Sequence, residues 1–150
     1  MKRLTFVAIA AALSMSAMAA GKHKQADKPA KPAKPEFSAL SSEQINTAGR
    51  VLTGQSKCEF DQSVHVAAVP NQKGWFNVEY KGKSYLMAPE TTTTGAVRLE
   101  DKRAGMMWLQ IANKSMLMNS KIGQRLVDNC LHAEQRAALK AVEGAAERKP

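Results

Sequence analysis

A chain of 150 residues with 44% hydrophobic and 23% charged residues holds material for one small domain. Its formal charge of +9 is spread along the sequence and only 5% of residues are aromatic, which argues against a nucleic-acid interface built from a dense basic patch and stacking rings. Two cysteines without a C-x-x-C, and three histidines far apart (His23, His65 and His132), give no metal-ligand spacing, and no cofactor motif is present.

Residues 1–19 read as a signal peptide. Lys2 and Arg3 form its positive start, Leu4–Leu13 is an apolar stretch too short to span a bilayer, and Ala17-Met18-Ala19 is a small-x-small cleavage site. The expectation is export to a Gram-negative periplasm, with cleavage after Ala19 and no transmembrane segment left. In that oxidising compartment Cys58 and Cys130 are expected to pair as a disulfide. Residues 20–36 are a Lys/Pro/Ala tether. Each proline removes a donor and restricts its predecessor, so an extended, polyproline-like state is expected. It reads either as a solvated spacer or as a basic arm on anionic wall polymer or membrane.

Residues 37–131 form the candidate domain. Ser41 and Gln44 fit a capping box, and Ile45, Ala48, Val51 and Leu52 follow at helical spacing, with Gly54 as the stop. From Cys58 the period becomes two residues. Phe60, Val64, Val66 and Ala68 alternate with polar or small positions. Residues 70–74 are a turn, and residues 75–80 are a strand with Phe76, Val78 and Tyr80 on one face. Lys81-Gly82-Lys83 is a hairpin turn, and residues 84–88 return and end at Pro89. A polar turn over residues 91–95 leads to a strand with Val97 and Leu99 inward. A basic connection over residues 101–105 leads to the apolar strand Met106–Ala112, and Asn113-Lys114 turns into a strand from Ser115 to Met118. Residues 122–129 read either as a helical turn or as a last strand. The tail, residues 132–150, has helix-forming composition with only Leu139 and Val142 as an apolar stripe.

The sum is a mainly β chain: a small antiparallel β-barrel or sandwich, tied by one disulfide, with a short N-terminal helix and a C-terminal helical tail. Nothing in it resembles a catalytic constellation. His65 is the one histidine inside the domain, and Glu100 and Asp101 are adjacent, so on a strand they point to opposite faces. The chain is therefore read as a non-enzyme, without a cofactor.

An early cysteine, the turn Thr94-Gly95-Ala96, a strand carrying Trp108, a turn with Lys114 and a closing cysteine resemble the C-type lysozyme inhibitor domain of the membrane-bound and periplasmic inhibitors. The resemblance runs from about Cys58 to Cys130. It implies a disulfide-tied antiparallel barrel that blocks the lysozyme cleft with two loops. The contact roles would fall on Thr94, beside Gly95, and on Lys114. Here the turn continues Ala96-Val97-Arg98 where the family carries a tyrosine, and Lys114 stands later after the tryptophan. The alternative is an envelope interaction module that binds anionic glycan such as peptidoglycan, or another envelope protein.

Overall fold

A computed structural model describes residues 37–148. The signal peptide and the tether expected over residues 1–36 lie outside these residues.

Eight strands follow one another as an antiparallel meander: β1 (Gly54–Lys57), β2 (Ser63–Ala68), β3 (Phe76–Tyr80), β4 (Lys83–Glu90), β5 (Val97–Asp101), β6 (Met106–Gln110), β7 (Ser115–Asn119) and β8 (Gln124–Cys130). The sheet curls until β8 returns to β1. There Lys57 N–H donates to Leu131 O at 3.1 Å, Leu131 N–H donates to Lys57 O at 2.7 Å, and the Cys58–Cys130 disulfide crosses the same seam. The result is a nearly closed barrel. A short helix, α1 (Ser42–Ala48), precedes it and a second helix, α2 (Ala133–Ala146), follows it.

The strand alternation is the reason the barrel has a largely apolar interior. Val64 and Val66 on β2, Phe76, Val78 and Tyr80 on β3, Val97 and Leu99 on β5, and Met106 and Trp108 on β6 all point inward and are buried. Side chains fill the interior, as expected for a barrel of this strand number. At the β3–β4 hairpin, Lys81 and Gly82 both take positive φ (+48° and +71°), the conformation a two-residue turn needs to match strand twist.

The structure departs from the sequence reading in several places. Helix α1 stops at Gly49, not Gly54. Gln110 on β6 accepts from Leu52 N–H at 2.9 Å and donates its amide to Arg50 O at 2.9 Å, which draws residues 50–52 out of the helix. Strand β1 carries no large apolar residue; its buried position is Ser56, so periodicity alone could not reveal it. Strand β4 runs through Pro89 to Glu90. Met87 is the last residue paired with β3 and Pro89 pairs only with β5, so the strand is locally an edge where proline is tolerated. Phe60 belongs to the β1–β2 turn rather than to a strand face. Of the two readings of residues 122–129, the structure has the last strand, over Gln124–Cys130. Among the described residues, no helix is long and apolar enough to cross a membrane.

Candidate functional site

Hairpin connections of a meander alternate between its two ends. Loops 69–75, 91–96 and 111–114 therefore share one end, and loops 58–62, 81–82, 102–105 and 120–123 share the other. Thr94 and Gly95 lie in the second loop of the first set and Lys114 in the third. The three residues singled out from the sequence thus stand at one end of the barrel.

Each loop is held from behind by residues outside it. Thr92 Oγ1 donates to Ala96 O at 2.7 Å and closes the first loop on itself. The Arg50 guanidinium, just past α1, donates to Gly95 O at 2.7 Å. Thr94 and Gly95 remain exposed. Gly95 has φ +74°, a value that favours glycine, and a Cβ built there would meet no atom within 4 Å. The second loop closes through Ile111 N–H to Lys114 O at 2.9 Å. It is fixed by Gln135 of α2, whose amide donates to Ile111 O at 2.8 Å and to Ser115 Oγ at 3.1 Å. Arg50 links the two loops, with its guanidinium on Gly95 and its carbonyl on the Gln110 amide, one residue before Ile111.

Lys114 is not a free side chain. Its Nζ donates to Asp128 Oδ2 at 3.1 Å and to Asn129 Oδ1 at 3.4 Å. The same Asp128 oxygen accepts from Arg125 at 2.9 Å, and Oδ1 accepts from Asn129 N–H at 2.7 Å. The Asp128 side chain is only 8% exposed, against 30% for Lys114. The knot sits where β8 is irregular against β7, with Asn129 at φ +50°. Such a bulge re-aims side chains, here Asp128 toward the lysine. Sequence reasoning missed Asp128, Arg125 and Arg50, because they lie 14, 11 and 64 positions from Lys114 and no local pattern connects them.

Burial alone would raise the Asp128 pKa. The Asn129 N–H, Lys114 and Arg125 outweigh it and hold the carboxyl below its ordinary 3.8. A group with a depressed folded pKa contributes stability that is fully present above its unfolded value and is lost as pH falls through the folded value. Melting temperature should therefore be level above about pH 4 with respect to this group and decline below it. Asp128→Asn should be less stable at neutral pH and should lose part of that acid-side decline, as followed by thermal melts across pH. An unchanged slope in the variant would count against the assignment.

The other residues read from the sequence lie elsewhere. Arg98 is ion-paired with Glu100 on its own strand. Lys102 Nζ is 2.6 Å from Glu90 Oε1, and that contact raises its pKa. His65 is exposed on β2, opposite Glu79 of β3, in an open surface groove of about 340 Å³ that Ser63 and Ser84 also line. Among the described residues no hydroxyl hydrogen-bonds to it. Cys58 and Cys130 form the expected disulfide. No protein-family model, curated protein or solved structure matches this chain.

Proposed function

We propose that this chain is an exported, non-enzymatic binding protein that inhibits a C-type lysozyme with the loops at one barrel end, acting as residues 20–150 after loss of the signal peptide. The observation that carries this reading is the shared end of loops 91–96 and 111–114, which lets one rigid body offer Thr94-Gly95 and Lys114 to the same cleft. Rigid presentation matters, because a loop ordered in advance loses less freedom on binding.

Lysozyme is itself basic, so long-range charge attraction would not drive association. The gain is local. A lysine moved between carboxylates in a water-excluded cleft makes a charge-assisted bond far stronger than on an open surface. Lys114 has to leave Asp128 to do so. Asp128 keeps Arg125 and the Asn129 N–H when it does, so the release leaves no unpaired buried charge behind.

Residues 20–150 are expected to slow a C-type lysozyme at stoichiometric amounts. Lys114→Ala should raise the half-inhibiting concentration by at least roughly 30-fold, the effect of truncating one member of a desolvated charge pair. Turbidity assays on cell-wall substrate read both. Absence of inhibition at large molar excess over several C-type lysozymes would refute the proposal.

A further inference from the structure

The opposite end of the barrel has a different chemistry. Two of the large hydrophobic side chains exposed among the described residues stand there: Phe60 in loop 58–62, 84% exposed, and Ile122 in loop 120–123, 67% exposed. These two hairpins follow one another around that end of the barrel, on either side of the β1–β8 seam, where loop 58–62 runs beside Asp128 of β8.

Phe60 is held outward by a rigid turn. Phe60 and Asp61 both take φ +54°, a left-handed conformation that is costly for two consecutive non-glycine residues. Cys58 N–H to Gln62 O at 2.9 Å, Gln62 N–H to Glu59 O at 3.2 Å, Glu59 N–H to Asp128 O at 3.2 Å and the disulfide enforce it. Burial of the ring does not explain the turn, since the ring faces water.

The other two hairpins of this rim are basic. Lys81 and Lys83 bracket the β3–β4 turn, and Arg103 lies in loop 102–105. Lys121, beside Ile122, donates from Nζ to Arg103 O at 2.7 Å and ties those two loops together. The Tyr80 hydroxyl, next to Lys81, hydrogen-bonds the Gln62 side chain and so ties the remaining two. Lys81, Lys83, Arg103 and Lys121 form no ion pair among the described residues. The opposing exposed charge in these loops is Asp61.

We propose that the barrel end carrying Phe60 and Ile122 with Lys81, Lys83, Arg103 and Lys121 is a docking surface for an anionic lipid bilayer. Apolar tips enter the headgroup boundary while lysines and arginines stay among the phosphates, the arrangement that makes interfacial binding additive in apolar area and charge. A glycan or soluble acidic partner would use the cations but would leave the strained, outward Phe60 without a role. Docking at this end directs loops 91–96 and 111–114 away from the membrane, where a soluble enzyme could reach them. The inference rests on the proposed envelope location and not on lysozyme binding, so either can fail alone.

The test is flotation of residues 20–150, tether intact, with vesicles of phosphatidylcholine alone or mixed with phosphatidylglycerol. Binding is expected to the mixed vesicles only, and to weaken with added salt. Phe60→Ser with Ile122→Ser should lower the partition coefficient by roughly tenfold or more without lowering the melting temperature. Phe60→Gly, which relieves the left-handed strain, should weaken binding while raising the melting temperature. No binding to mixed vesicles would overturn the proposal. So would binding unchanged in the double variant, which would place the contact on the tether. Capture by purified peptidoglycan that depends on Phe60 and Ile122, with no vesicle binding, would overturn it in favour of a wall ligand.

Discussion

Reduction of the Cys58–Cys130 bond, or its removal by paired Cys58→Ala and Cys130→Ala substitutions, is expected to destabilise the barrel by ~4 kcal/mol. The bond closes a loop with a sequence separation of 72 residues, and chain-entropy arguments assign about that much to a loop of this size. Small domains are stable by only about 5–15 kcal/mol, so a large share would go. The place of the bond makes the effect severe. Each of the other adjacent strand pairs shares a ladder of several residues, whereas β1 and β8 meet through the Lys57–Leu131 bridge and a few flanking contacts. Without the covalent link, β1 becomes a four-residue edge with no large apolar side chain to hold it. Thermal melts with and without reductant should differ by roughly 15 °C. A difference under about 5 °C would mean that the seam closes without the bond.

Trp108→Ala is expected to cost about 3–5 kcal/mol, the range for emptying a large aromatic site in a packed core. Trp108 is 1% exposed, and its cross-strand partners Leu99 and Leu117 are fully buried. A barrel filled by side chains has little freedom to collapse around the void, because the strand ladders fix its diameter. The indole carries a second effect of opposite sign. Its Nε1 is buried without a hydrogen-bond partner, and such an unpaired donor costs about 1–3 kcal/mol. Trp108→Phe removes that donor and keeps most of the ring, so its net cost should be small, about 1 kcal/mol or less. Urea unfolding followed by circular dichroism separates the two variants. Equal losses in both would show that the indole N–H is satisfied and stabilising, against the packing account.

The resemblance pointed to Thr94, Gly95 and Lys114 as residues in two loops. It did not show that Lys114 is already engaged. The lysine has an acidic partner 14 positions away on β8, brought to it by an irregular register between β7 and β8. Arg50 lay in the stretch expected to be the N-terminal helix and stood out by no pattern, yet it links both loops. In each case the missing information is a contact between elements, which hydrophobic period and turn composition do not encode.

What the sequence by itself determined is which residues face inward on the regularly alternating strands. Val97 with Leu99, and Phe76 with Val78 and Tyr80, alternate at period two, and burial follows because a pleated strand has only two faces. Ser41 and Gln44 marked the start of α1, and Lys81-Gly82-Lys83 marked the β3–β4 hairpin, whose turn proper is Lys81-Gly82 because Lys83 already pairs in β4; both features depend on groups within four residues of each other. The tertiary structure alone decided what those elements meet. It recruited Gly54–Lys57 as a strand although they have no apolar pattern, because neighbouring ladders supply the missing hydrogen bonds. It carried β4 through Pro89 because β3 had already ended. It left Phe60 and Ile122 in water at one end of the barrel and gathered the Thr94 and Lys114 loops at the other. That division comes from strand count and hairpin parity, properties of the closed sheet that no short stretch of the chain contains.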